Sequence, residues 1–374
     1  MRNTAVRTAA LLLATGLPVA VAAQDRPAID LSADARLRLE QDWDSQTATG
    51  AQRLDRARSR IRLRAQATID FGDGFRLMGR VRTDTPDSQQ NANVTFADFD
   101  GNPSDHFLVV EDRYSLAWSG KQGSIEVGRM TFPFFTQNEY FWDADIDPLG
   151  GTGSVVVPLA GKNNVRLSGG AFKLPVGLAH FSSRLFAGQA VLTRAPLTLA
   201  AGVFRFDADR ADPDRLRLRL LDNNGSRDYT VLALNGQYRL PAGGKPLVLG
   251  ADLYRNVQGY AASADPISRA NRDQRTGYVL SAAWGDVARH GHLQLGYRWS
   301  HMEKLAVNAS YAHDDVARLG NAQQSALTDL KGHDIFANYA ITNRMVIGAR
   351  AMFMQRITNR EDGNRGRIDL SYTF

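Results

Sequence analysis

Between positions 55 and 71 the sequence alternates strictly between two kinds of side chain. From position 57 onward apolar or small residues hold the odd positions, whereas polar and charged residues hold the even positions from 56 onward. Successive side chains of a β-strand point to opposite faces, while a helix of 3.6 residues per turn would spread the charges around its circumference. The pattern therefore predicts a long strand with one apolar and one charged face. The charged face carries Arg56, Arg58, Arg60, Arg62 and Arg64, here named the arginine ladder.

The same two-residue period recurs along the chain. It is plain at the end, where Ile368, Leu370, Tyr372 and Phe374 alternate with charged or hydroxyl residues. The predicted strands are long, as are the roughly 10-residue tilted strands that cross a bilayer. Sixteen strands are predicted, at 33–43, 56–71, 74–84, 108–119, 123–130, 153–159, 163–174, 184–194, 197–207, 228–240, 246–257, 275–286, 289–300, 333–341, 344–356 and 365–374.

The connections between these strands are alternately short and long. The short ones carry the Gly, Asn and Asp residues that tight hairpins need. The longer, polar ones lie near 44–55, 85–107, 131–152, 175–183, 208–227, 258–274, 301–332 and 357–364. This layout is typical of an all-β, antiparallel transmembrane barrel with short periplasmic turns and long extracellular loops. Both ends of the chain then lie on the periplasmic side.

Residues 1–23 have the features of a secretory signal peptide: Arg2 and Arg7 precede an apolar run that closes on small residues. The run is short for a membrane anchor, and no positive cluster follows it. After it, no stretch reaches the roughly 20 apolar residues that a spanning helix needs, which excludes a helical membrane protein. The chain has no cysteine, so its stability must come from a large core or a closed sheet. We predict that residues 24–374 form one transmembrane barrel.

A soluble sandwich or barrel would also alternate, but aromatic side chains collect at the two ends of the predicted strands. Such belts are expected where amphipathic rings meet the two lipid interfaces. The predicted periplasmic belt contains Phe71, Phe75, Trp118, Trp284 and Phe374, and the predicted outer belt contains Trp43, Tyr254 and Trp299.

Over its whole mature length the chain resembles the Gram-negative outer-membrane porins, in its signal peptide, its sixteen alternating strands and its terminal segment 368–374. The stretch 142–150 resembles loosely defined porin families more than the best-known general porins. The resemblance implies an outer-membrane location among lipid and lipopolysaccharide, and a homotrimer. It also implies recognition of the terminal Phe374 by the barrel-assembly machinery.

If the apolar face meets lipid, the charged face lines the lumen. The arginine ladder then projects into a channel and needs water, anions or carboxylates to compensate its charge. Glu40 and Asp42 are candidate partners on the first strand. The other residues that we place in the lumen on the same alternation are Arg36, Arg38, Arg76, Arg80, Arg82, Glu111 and Glu126.

The third long segment is too aromatic for a loop in solvent, and it also carries Glu139, Asp143, Asp145 and Asp147. In general porins the third loop folds into the barrel, and its carboxylates face arginines of the wall. The resemblance therefore implies a constriction with a strong transverse field. Arginine is always charged and suits carboxylates and phosphates, so the ladder predicts passage of small hydrophilic solutes with some preference for anionic or polar ones. The alternative is that the arginines only solvate and stabilise a wide lumen.

Other functions are weaker hypotheses. An outer-membrane hydrolase would need a catalytic group; only His313, followed by Asp314 and Asp315, lies beside a pair of acids, and neither G-x-S-x-G nor H-E-x-x-H occurs. A nonconducting structural or adhesive barrel is disfavoured because sixteen strands leave an aqueous interior. The three aspartates 143, 145 and 147 lack the rest of a calcium-binding loop. We therefore expect no catalysis, no metal, no cofactor and no nucleic-acid partner.

Overall fold

The computed structural model describes residues 27–85, 92–101, 104–176, 180–210, 227–313, 315–319 and 328–374. The predicted signal peptide lies outside these residues and stays a prediction. The described residues form seventeen strands and one short helix: β1 Ala28–Gln46, β2 Arg56–Gly72, β3 Phe75–Asp84, β4 Val94–Asp98, β5 Leu108–Ser119, β6 Gly123–Arg129, β7 Leu149–Pro158, β8 Asn164–Val176, β9 His180–Arg194, β10 Leu197–Asp207, β11 Tyr229–Ala242, β12 Lys245–Asn256, α1 Pro266–Ala270, β13 Thr276–Gly285, β14 Leu293–Met302, β15 Leu330–Ala340, β16 Met345–Arg356 and β17 Asp362–Thr373.

The strands form one closed antiparallel barrel. Apart from β4, which pairs with β2, the strands follow one another around the wall in sequence order, and β1 closes the sheet by pairing with both β2 and β17. Strand β4 continues β3 beyond an interruption, since both pair with β2, at different heights along it. Counting β3 and β4 as one wall strand gives a sixteen-stranded barrel, as predicted. Closure leaves no free sheet edge, so the backbone hydrogen bonds are satisfied within the wall.

Burial follows the alternation that the sequence predicts. On β1, Leu37 and Leu39 are 44% and 50% exposed, while Arg38 and Glu40 between and beside them are 1% and 3% exposed. Leu63 on β2 is exposed in the same way, and its neighbour Arg62 is buried. The apolar row thus faces outward and the charged row faces the interior, the reverse of a soluble protein.

Most strand ends lie within a few residues of the prediction, but the fourth long connection is wrong. The alternation predicts a loop at 175–183, yet β8 continues to Val176 and β9 starts at His180. Pro175 pairs with Phe181 and Val176 with His180, beyond an irregularity in the register. The pairing continues through the proline because the bulge absorbs the break, a feature that alternation alone does not reveal.

The outward face carries the predicted periplasmic aromatic residues, with Phe71, Phe75, Trp118 and Phe374 exposed. Tyr254 was predicted in the outer belt, and this is wrong: it is fully buried, with its ring stacked inside the barrel. No helix in the described part of the chain is long and apolar enough to cross a membrane.

Candidate functional site: the lumen

Two long connections lie against the inward-facing side chains of the barrel. Loop 3, residues 130–148, joins β6 to β7, and loop 7, residues 303–329, joins β14 to β15. The loops also bind each other: Asp143 N–H donates to Tyr311 O, and His313 N–H donates to Glu139 O, each at 2.9 Å. Together they meet two chemically different surfaces. The charged wall is the inner face of β1, β2, β3, β5 and β17, and the aromatic wall is the inner face of β8 to β12.

The part of the charged wall nearer the predicted periplasmic side binds loop 3 through Asp145. Asp34 of β1 accepts hydrogen bonds from Arg62 Nη2 at 3.1 Å and from Arg64 Nε at 2.7 Å. Asp145 Oδ1 lies 3.6 Å from a terminal nitrogen of each of the same two arginines. Arg82 Nη1 donates to the backbone oxygen of Asp145 at 2.6 Å. The tip of loop 3 is therefore held against the ladder by direct ion pairs.

A second contact of loop 3 is made by Asp147. Its carboxylate accepts from Arg80 Nη2 at 3.1 Å and from Arg113 Nε at 2.9 Å. Arg80 also donates to Asp112 from Nε at 2.9 Å, and both acids are buried. The two buried carboxylates thus share the Arg80 guanidinium. Removing any one of the three groups would leave a buried charge without its partner.

Loop 7 supplies a third acid, Asp315, to the charged wall. Arg38 Nη1 and Arg367 Nη1 donate to its Oδ2 at 2.5 Å and 2.7 Å, and Arg60 Nη1 lies 3.7 Å from its Oδ1. Burial raises the pKa of Asp315, but Arg38, Arg367 and Arg60 outweigh that effect, so its pKa lies well below the ordinary value. For Asp145, burial is likewise outweighed by its arginine neighbours, and the pKa is lowered. Both loop carboxylates are therefore ionised at neutral pH.

The outer part of the charged wall is paired within the wall itself. Arg58 Nε donates to Glu40 at 2.7 Å, and Arg365 Nε donates to Asp42 at 2.7 Å. Arg318 of loop 7 lies 3.6 Å from Asp42. Glu40 and Asp42 therefore act as the compensating acids predicted for the first strand.

The aromatic wall meets the other side of loop 3. Phe132 stacks on Trp142 with ring centroids 4.1 Å apart, and Phe141 stacks on Tyr254 of β12 at 5.3 Å. Phe204 of β10 contacts three of the loop's phenylalanines. Trp142 and Phe141 are almost fully buried, and the Trp142 indole N–H donates to Ile146 O at 3.0 Å. This half of the interior is therefore packed like a protein core.

A polar contact also fixes loop 3 to the aromatic wall. Gln137 Nε2 donates to Asp252 at 2.7 Å and to the backbone oxygen of Gly236 at 3.0 Å. Its amide approaches Gly250 of β12 so closely that a Cβ there would lie 2.6 Å from Gln137 Oε1. Gly250 thus makes room for the loop, since a side chain at that position would displace it.

His313 of loop 7 is the histidine beside acids in the sequence, and it is buried between the two loops. Its Nδ1 lies 3.4 Å from Glu139, and its Nε2 lies 3.4 Å from Arg350 Nη2. Burial lowers the pKa of His313 to about 4, although Glu139 opposes this effect. The neighbours of the imidazole are an acid and a guanidinium, and its burial keeps it neutral at pH 7. Asp314 lies outside the described residues.

The remaining predicted residues take different places. Arg56 donates to Asp98 of β4 at 2.8 Å, and Arg76 is an exposed residue that pairs with Asp70 beside the β2–β3 turn. Glu126 accepts a hydrogen bond from Ser115 Oγ at 2.7 Å. Asp143 accepts from Asp145 N–H at 2.7 Å, so it shapes the turn of loop 3.

Glu111 does not lie in the lumen, contrary to the prediction. It pairs with Val81, which is exposed on the outward face, and directly opposed residues of neighbouring strands share a face. The register shifts between Arg80 and Val81, opposite the segment from Glu111 to Arg113. This bulge turns Asp112 inward in place of Glu111.

Sequence comparison identifies the family of this chain. A sequence model of the Gram-negative porins matches residues 8–360. The chain belongs to the Gram-negative porin family. A search of curated proteins gave no match.

Solved porins share the fold of this porin at low sequence identity. OprB of Pseudomonas putida aligns with a TM-score of 0.56 at 10% identity, over 92% of this chain and 94% of its own. OmpF of Salmonella typhi, in complex with daunomycin, aligns with a TM-score of 0.52 at 13% identity, over 92% and 97%. A loop L8 deletion mutant of OmpT from Vibrio cholerae gives 0.50 at 14%, over 94% and 100%. Family and fold together place this porin in the outer membrane.

Several charged residues of the porin's lumen escaped the sequence interpretation. Asp34, Arg367 and Asp369 stand at inward positions of their strands, so the alternation itself could have identified them. Asp112 is hidden by the bulge. Asp315 comes from a distant loop, and no local pattern connects it with the ladder.

Asp143, Asp145 and Asp147 have arginine or backbone donors as neighbours, and Glu139 lies beside His313. Among the residues that the structure describes, no three His, Cys, Asp or Glu side chains come together as a metal ion would require.

Proposed function

We propose that this porin lets small hydrophilic solutes diffuse passively along the charged wall, with a preference for anionic or polar ones. The observation that carries the proposal is the arginine ladder, which lies inward on β2 and is met by acids of loop 3 and loop 7. Fixed positive charge in a narrow aqueous path raises the local concentration of anions. The loop carboxylates reduce this charge and orient solutes that pass.

The packing of the other half supports the proposed route. Loop 3 fills the space against Phe204 and Tyr254 with aromatic rings, which leaves little room there for hydrated solutes. A cavity of about 340 Å³ lies instead along the charged wall, beside Arg36 and Arg64. We infer that the constriction lies between loop 3 and the strands that carry the ladder, and that its acids are bonded to the arginines rather than held across an open gap.

Planar-bilayer recording tests this function. We expect stepwise conductance from purified protein, reduced when organic anions such as gluconate replace chloride and less affected by neutral sugars. The second candidate is a nonconducting barrel, which the dense aromatic packing of loop 3 favours. Absence of conductance with correctly folded protein in the bilayer would support it. An ester-hydrolysis assay on the same preparation tests the alternative that the barrel is a hydrolase. We expect no hydrolysis above background.

We also propose a homotrimer. Glu111 lies on the outward face, within strand β5, and a carboxylate is unfavourable against hydrocarbon. Ala33, Ala65 and Gly79 lie in the same outward groove, and such small residues permit close approach of another chain. Channel closure in groups of three would support the trimer, whereas single independent closures and a monomeric mass in mild detergent would contradict it.

The remaining partners are also proposals. Phe374, at the end of the alternating last strand, is our candidate signal for the barrel-assembly machinery, and the outward apolar face is the surface for lipid and lipopolysaccharide. Deleting Phe374 is expected to lower the amount of folded porin in the outer membrane. An unchanged amount would contradict the assembly proposal.

A further inference from the structure

Three neighbouring strands place a guanidinium without a directly bound counter-ion at the periplasmic part of the charged wall. Arg36 of β1 stands directly opposite Arg62 of β2 on one side and opposite Ser371 of β17 on the other. Like charges in opposed positions of neighbouring strands destabilise the pair. The same three residues line the cavity of about 340 Å³.

The acids around this cavity are already engaged. Asp34 bonds Arg62 and Arg64, and Asp145 lies 3.6 Å from both, so two carboxylates balance two guanidinium groups. Arg36 has no hydrogen bond or ion pair with any part of the chain that the structure describes, and its Nε is a buried atom without a partner. Asp145 and Asp369 attract its charge only from a greater distance, and both already contact other arginines. The charge of Arg36 is therefore not balanced by a directly bound acid, which is costly unless an anion is available.

Neutral hydrogen-bonding groups complete the lining. Ser371 and Thr373 contribute hydroxyl groups from β17, and Gln66 contributes an amide from β2. These groups match hydroxyls of a solute, since each can both donate and accept. The free guanidinium of Arg36 offers the planar pair of N–H groups that suits a carboxylate.

We propose that this cavity is a binding subsite for small hydroxylated monocarboxylates, the chemical class of the sugar acids. Arg36 holds the carboxylate, and Ser371, Thr373 and Gln66 hold hydroxyl groups. A single negative charge balances the cavity and relieves the repulsion between Arg36 and Arg62. The cavity lies between Asp145 of loop 3 and the C-terminal end of β17. Because loop 3 forms the proposed constriction and the chain ends on the periplasmic side, the subsite lies on the periplasmic side of the constriction. The inference rests on the proposed function, because the solute must enter the lumen.

Calorimetric titration of the detergent-purified porin with sodium gluconate tests the subsite. We expect saturable binding, weakened about tenfold or more in Arg36→Gln, because a charged hydrogen-bonding partner is lost. Ser371→Ala should weaken gluconate binding several-fold. This second variant still tests the subsite if Arg36→Gln does not fold. The matched control is Arg205→Gln, which removes the same charge from an exposed residue at the outer end of β10 and should leave the affinity unchanged. Sorbitol, which lacks the carboxylate, and inorganic phosphate are the comparison probes.

The outcomes are distinct. Absence of saturable gluconate binding, or equal affinity in folded Arg36→Gln and Arg205→Gln, overturns the subsite. Phosphate or sorbitol binding as tightly as gluconate overturns the assigned class. An anion-preferring channel without gluconate binding contradicts the subsite alone, whereas gluconate binding by a protein that does not conduct contradicts the proposed function alone.

Discussion

The charged wall and the aromatic wall hold the same loop by different interactions. On the charged wall, Asp145 and Asp147 of loop 3 bind arginines whose desolvation must be offset by well-placed partners. On the aromatic wall, Phe141 and Trp142 are held by buried apolar area and ring stacking, which need no partner charge. We therefore expect the aromatic wall to supply stability and the charged wall to supply selectivity.

Trp142→Ala should have the largest effect on stability. It removes a buried ring that stacks between Phe132 and Tyr311, and such truncations cost about 4 kcal/mol. Urea unfolding of the porin in micelles measures the loss, and reversal potential should stay near the wild-type value. Phe99→Ala, at an exposed ring, is the control. A large change of selectivity with little loss of stability would contradict the division between the walls.

Asp315→Asn is next. The change leaves Arg38 and Arg367 with Asp369 as their one shared carboxylate among the described residues, and breaking a buried ion pair costs about 3 kcal/mol. It also makes the lumen more positive, so the ratio of anion to cation permeability should rise. Urea unfolding measures the loss of stability, and the reversal potential of the same preparation measures the permeability ratio. A fall in anion preference would refute the predicted rise in that ratio.

His313 should make the contact between the loops sensitive to acid. Its pKa is about 4 in the folded chain, against an ordinary value of about 6.5, so the unfolded chain binds more protons between these values. Stability is complete above pH 6.5 and is lost as the pH falls towards 4, by about 2 kcal/mol at pH 5. His313→Gln stays neutral and should remove this part of the pH dependence, whereas His106→Gln, at an exposed residue, should not. Identical pH profiles for the wild type and His313→Gln would contradict the assignment.

Arg205→Gln should have the smallest effect. Its pair with Asp207 is exposed, and exposed ion pairs contribute little. Neither unfolding nor reversal potential should change measurably. A shift of selectivity as large as that of a ladder variant would show that total charge, and not the charged wall, sets the preference.

The sequence predicts the barrel well because one physical rule, alternation across a lipid–water wall, acts on every strand. Leu37 and Arg38 obey it, as do the arginines of the ladder. The rule fails where local geometry intervenes: a bulge turns Glu111 outward and Asp112 inward, and another bulge extends β8 and β9 beyond their predicted ends. It also does not describe long-range contacts, so the pairing of Asp315 with Arg38 could not be foreseen.

The role of the arginine ladder in selectivity is tested by the reversal potential across a potassium chloride gradient, for the wild type and for Arg60, Arg62 and Arg64 replaced together by Glu. The wild type should prefer chloride, and the triple variant should shift markedly towards potassium while keeping a folded barrel. A cation-preferring wild type, or a folded triple variant with an unchanged reversal potential, would contradict the claim that the arginine ladder sets selectivity.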